Sequence, residues 1–264
     1  MRLGGTEPTR TPATLDTRHP WLVGAMLTVA PIVVGLVVLE VLLRLARNGL
    51  THDSAWQVSA AHSLVLAGLG LLLMVLTRPS WVSYGWRLPR VSGAVLWLLP
   101  ALLVVVVAWV AVAFHPLAGW HLDPSPLLLV GTTAVAVGLA WEVWFRGLVL
   151  AVFRGRGARY AITASTALFA LFQLVGHRQE IMTAPLGVWA PQVVLLVLLG
   201  WVSGHLVVLT GSLLPGWVLT STQVFFYNLS GSMWFERGPW ILLAECILLA
   251  LYGAFMWRHT RAVD

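Results

Sequence analysis

Eight apolar runs, each near the roughly 20 residues that a helix needs to cross a bilayer core, decide what this chain can fold into. They lie at about 21–46, 55–77, 92–114, 126–152, 159–176, 187–209, 213–230 and 239–257. Lipid offers no hydrogen bonds to an open backbone, so only helices or closed barrels span it. Barrel strands would read as short alternating segments, and these runs are long and continuous. The sequence therefore predicts an all-α membrane protein, a bundle of about eight transmembrane helices. Composition agrees: 59% of residues are hydrophobic and 10% charged, where a soluble domain carries about a quarter.

The flanks read differently. Residues 1–20 are polar, with Pro, Thr and Arg, and read as a disordered tail. The run at 21–46 is too long for a signal-peptide core and no small-residue cleavage site follows it. Residues 21–257 form one transmembrane domain, and 258–264 a second short tail.

Arginine placement orients the bundle. All 16 Lys/Arg positions are Arg. With the N-terminus in the cytoplasm, eleven arginines fall on the inner side, among them Arg78, Arg87, Arg90, Arg154, Arg156 and Arg159. Four fall outside (Arg44, Arg47, Arg178, Arg237), and Arg146 lies within a span. The positive-inside rule then puts both termini in the cytoplasm and the protein in the cell membrane. The net charge of +6 thus sets topology, with the lipid bilayer as partner, and does not imply nucleic acid. The single cysteine, Cys246, excludes an internal disulfide and a cysteine metal cluster.

An ionisable residue inside a span is costly and marks a candidate site. Glu40 and Arg44 stand four apart near a span end and can pair. Glu245 has no sequence neighbour to pair with. Glu142 and Arg146, in "LAWEVWFRGLVL", stand four apart in the favourable helical order. Uncharged polar residues also cluster. Ser165, Phe169 and Gln173 share one helix face, and His177 continues that line. The seventh run carries Thr220, Ser221, Thr222, Gln223, Tyr227 and Asn228. Such residues commonly hydrogen-bond between membrane helices and by themselves imply no chemistry.

Taken together and in order, these stretches resemble the CAAX-protease and bacteriocin-processing (CPBP, or Abi) family of intramembrane proteases. The family's first motif, Glu-Glu-x-x-x-Arg, is matched by "WEVWFRG". Its second, Phe-x-x-x-His, is matched by Phe169 to Gln173. Its third region, a Gly-rich helix, a Thr-Gly-Ser-Leu turn and a helix bearing His-x-x-x-Asn, is matched by "LLGWVSGHLVVLTGSLLPGWVLTSTQVFFYN". "YGWRLPR" resembles the connection that precedes the family's core helices, so the likeness covers about 84–230. It implies an eight-helix membrane fold and intramembrane endopeptidase activity of the kind that processes CAAX-box proteins.

It also implies site residues, and here the chain departs. The family's expected general base stands at Trp141. The second glutamate and the arginine correspond to Glu142 and Arg146, which are retained and read as a structural pair. The motif histidine that polarises water falls at Gln173. The histidine and asparagine expected to stabilise the oxyanion fall at Thr220 and Val224. Indole only donates a hydrogen bond, so Trp141 cannot take a proton from water. Loss of one oxyanion donor costs about 10²–10³ in rate.

The expectation is a catalytically degraded member of the family, a pseudoenzyme that acts by binding a membrane protein or peptide partner. Two alternatives stand beside it. One is an active endopeptidase with a displaced site built from Glu142, His177 or His205, and Asn228. The other is a small transporter or membrane-binding module, although no paired discontinuous spans of the transporter kind are present. No metal and no cofactor is expected.

Overall fold

The computed structural model describes residues 19–46, 52–77, 81–89, 91–113, 124–176, 178, 182, 185–230 and 239–260. Eight long helices hold most of them, and no strand occurs among the described residues. Helix α1 spans Pro20–Ala46, α2 His52–Thr77 and α3 Val91–Ala113. Helix α4 runs over 124–153 in three parts: an α-helix Pro124–Trp141, a π-helix Glu142–Val149 and a closing α-turn Leu150–Phe153. Then come α5 (Ala158–Gly176), α6 (Leu186–Thr210), α7 (Leu214–Ser230) and α8 (Pro239–Thr260). Each span expected from the sequence is present, with ends shifted by a few residues. Seven of these helices are long and apolar enough to cross a membrane by length and composition; α7, at 17 residues, is shorter. The chain is a multi-pass membrane protein. The stretch 1–18, read above as a tail, and His177 lie outside the described residues.

The exterior is as apolar as the interior. Leu22, Met26, Val29, Val33 and Val37 of α1 are all exposed, as a lipid-facing surface requires. Hydrophobic contrast therefore cannot decide which helix faces meet. Small residues decide it instead, because they let backbones approach. A Cβ on Gly70 of α2 would collide with Val143 and Trp144 of α4. One on Gly138 of α4 would collide with Ser221 of α7.

Helix α4 is the centre of the bundle. Its first part packs on α2 and α7, and its π-helical part on α1, α2, α5 and α6. Every residue from 142 to 153 is buried. A second apolar cluster joins α3, α6 and α8 through Ala101, Val105, Leu206 and Leu249, and takes in buried Cys246. Away from both clusters, exposed Glu40 and Arg44 pair at 2.7 Å, as their spacing predicts.

The connection between α2 and α3 is fastened to the turn between α6 and α7. Gly85 adopts φ +88 and Gly211 φ +66, a left-handed backbone that favours glycine. Leu213 N–H donates to Gly85 O at 2.9 Å. Arg87 Nε donates to Gly211 O at 2.6 Å, and Ser212 Oγ to Arg87 O at 2.6 Å. "YGWRLPR" and "TGSL", about 125 positions apart in the chain, thus make one polar clasp.

Candidate functional site

The retained pair sits in the π-helical turn. Each N–H there reaches back five residues, as Leu150 N–H does to Phe145 O. The same oxygen accepts a 2.6 Å bond from Ser165 Oγ of α5. On the other side, Trp144 Nε1 donates to Leu66 O of α2 at 2.9 Å. Neighbouring helices thus grip the widened turn from two directions. The sequence predicts an uninterrupted α-helix here, because bonds from distant helices leave no local signature. π-turns are rare and concentrate at functional sites.

Glu142 Oε1 accepts Ser203 Oγ of α6 at 2.7 Å and Thr220 Oγ1 of α7 at 3.0 Å. Arg146 Nε stands 4.0 Å from the same oxygen, an ion pair longer than a hydrogen bond. The guanidinium lies over the Phe169 ring, 4.4 Å from its centroid. Both charged side chains are fully enclosed, Glu142 at 1% exposure and Arg146 at 2%. Two glycines make room for them. A Cβ on Gly200 of α6 would strike Arg146 and Phe169, and one on Gly216 of α7 would strike Ser203 and the Glu142 carboxylate.

Beside the pair lies a small cavity of about 10 Å³, room for about one water. Trp141, Glu142, Arg146, Thr220 and Val224 line it, with Gln223. Three of the positions at which the resemblance marks a substitution therefore converge with the two retained ones. Gln173 does not reach it. That residue is buried one turn beyond Phe169, and its Nε2 has no hydrogen-bond partner among the described residues. Trp141 stacks edge-on against Phe169 at 5.4 Å, and Phe145 does so at 5.1 Å. Indole and phenyl groups thus wall the side where a base would stand.

Of the residues in the displaced-site alternative, Glu142 lines the cavity, whereas His205 and Asn228 do not. His205 is buried on the face of α6 that meets α8, with its ring 5.4 Å from Trp201 and 5.8 Å from Trp257. Asn228 is half-buried a turn past Val224 and does not line the cavity. Two participants escaped the sequence reading. Ser203 is an ordinary serine in a Gly-rich helix, and Gln223 was one of many polar residues in α7. Only the close approach permitted by Gly200 and Gly216 singles them out.

Three polar atoms around the cavity make no hydrogen bond among the described residues: Glu142 Oε2, Arg146 Nη1 and Gln223 Oε1. A water there would meet an acceptor, a donor and a second acceptor, the number of partners a buried water typically needs. The arrangement can hold such a water. It engages Glu142 Oε1 with two hydroxyls and sets a guanidinium beside it.

Comparison with known proteins agrees with this geometry. A family model described as type II CAAX prenyl endopeptidase, Rce1-like, matches residues 123–226. No curated protein and no solved structure matches the chain. The matched stretch runs from the start of α4 into α7 and contains every residue that lines the cavity. Residues 123–226, the segment that builds this site, are similar to the Rce1-like CAAX prenyl endopeptidases, the same direction in which the motifs point, and the chain is a multi-pass membrane protein.

Proposed function

We propose that this protein is a pseudoenzyme of the CPBP family, located in the cell membrane with both termini in the cytoplasm. It keeps the protease scaffold to bind a membrane protein or peptide and no longer hydrolyses it. The observation that carries this reading is the engagement of Glu142. Its carboxylate is bound by Ser203 and Thr220, and the neighbouring position at the cavity holds Trp141. Peptide hydrolysis by water requires a base that can accept a proton beside the attacking oxygen. Among the described residues no histidine lines the cavity, and the carboxylate that does so is bound at Oε1 by two hydroxyls.

A second reading, an active endopeptidase with Glu142 as a displaced base, draws on the free Glu142 Oε2 and the water-sized space beside it. The experiment separates the two. Purified protein in proteoliposomes is incubated with prenylated CAAX peptides and with leader peptides, and the products are read by mass spectrometry. The pseudoenzyme shows no cleavage above empty vesicles. Cleavage that disappears in Glu142→Gln establishes the displaced site instead.

A further inference from the structure

A lateral groove lies among α1, α2 and α5. Its volume is about 370 Å³, toward the lower end of the range of about 300–1,000 Å³ typical of small-molecule sites. Gly35 and Leu36 of α1, Leu66 of α2 and Phe172 of α5 form apolar walls. Two polar groups interrupt them. His62 sits half-buried with its Nε2 against the bare backbone of Gly35. Arg178, just past the end of α5, is exposed, and its Nη1 reaches Val175 O at 3.4 Å, a weak contact.

Among the described residues, no acidic side chain lines the groove. Glu40, one residue beyond Leu39 of its wall, is paired with Arg44. An apolar cleft open to the bilayer, with a guanidinium at one end and an imidazole on the wall, has the polarity of a lipid turned inside out. Arg forms short, charge-assisted bonds to phosphate. A neutral imidazole offers one donor and one acceptor, suited to a glycerol ester carbonyl.

We propose that this groove binds one acyl chain of a bilayer phospholipid with an anionic headgroup, whose phosphate is held by Arg178 and whose ester region lies at His62. Selectivity for negative charge comes from Arg178 and retention from the apolar walls. The site is independent of any protease chemistry.

The test uses the full-length protein purified in detergent and offered equal amounts of dioleoylphosphatidylglycerol and dioleoylphosphatidylcholine, with native mass spectrometry counting retained lipids. The wild type retains phosphatidylglycerol several-fold over phosphatidylcholine. Arg178→Gln abolishes the preference while an apolar-driven background remains. Leu36→Trp, which fills the groove from an exposed position, lowers retention of both lipids. Equal retention of the two lipids by the wild type overturns the proposal, as does a preference that survives in Arg178→Gln. Arg178 is exposed, so this variant folds even where the groove-filling one does not.

Discussion

Thr220 on α7 donates a 3.0 Å hydrogen bond to Glu142 Oε1 on α4. By resemblance, Thr220 stands where the family carries a histidine for the oxyanion. Here its hydroxyl serves the retained glutamate instead, alongside Ser203. The site has therefore not simply lost functional groups. Two hydroxyls satisfy one oxygen of the retained carboxylate, which matters because a buried carboxylate without donors is severely destabilising.

Removing those donors should be costly. Ser203→Ala and Thr220→Val should each destabilise the protein by about 1.5–3 kcal/mol, the range for hydrogen bonds to charged groups. Because both act on one oxygen, the double variant should depart from the sum. Unfolding in detergent micelles, followed by circular dichroism, measures this. A Thr220→Val protein as stable as wild type would contradict the bond.

Arg146→Ala leaves Glu142 without its counter-charge and uncovers the Phe169 ring. Breaking a buried pair from one side costs about 3–5 kcal/mol, whereas replacing both partners by neutral groups of similar volume often does not. Glu142→Gln/Arg146→Met should therefore be more stable than Arg146→Ala. Expression yield and melting temperature of the three proteins decide the matter. A double variant no better than the single one removes the ion pair from the account.

Glycines distinguish the packed site from the lipid-facing surface. Gly216→Ala puts a methyl group against Ser203 and the Glu142 carboxylate and should cost about 1–3 kcal/mol as overpacking. Gly68→Ala in α2 meets nothing within 4 Å and should be neutral or stabilising by up to about 1 kcal/mol. The same unfolding measurement compares them, and equal effects would refute the close approach of α7 to α4.

Gly211→Ala tests the clasp. A side chain at φ +66 is strained by about 1–2 kcal/mol, and the new methyl group also displaces the Arg87 guanidinium. The expected result is a lower melting temperature together with faster proteolysis in the connection at 81–89. Unchanged cleavage there would show that the two turns are held independently.

The membrane fold was legible in the sequence because span length is set by bilayer thickness, a constraint each run meets by itself. The motif order likewise picked out residues that meet in space, since Trp141, Glu142, Arg146, Thr220 and Val224 line one cavity. What the sequence could not reveal depends on which helix faces meet. In lipid, Leu and Val lie on every side, so periodicity does not point inward. Ser203 looks no different from Ser165 until Gly200 and Gly216 bring α6 and α7 up to α4. The π-helical turn was equally hidden, because Ser165 and Leu66, which hold it, lie on other helices. Gln173 shared a face with Phe169 as expected, yet one turn of separation keeps it out of the cavity.

The distances in sequence carry a consequence for biogenesis. Ser203 follows Glu142 by 61 positions and Thr220 by 78. The chain is made from its N-terminus, so α4 is synthesised before either donor exists. Through that interval the guanidinium four residues away is the partner that its own helix supplies. In the finished bundle the two hydroxyls made later hold the shorter contacts, 2.7 and 3.0 Å against 4.0 Å for Arg146.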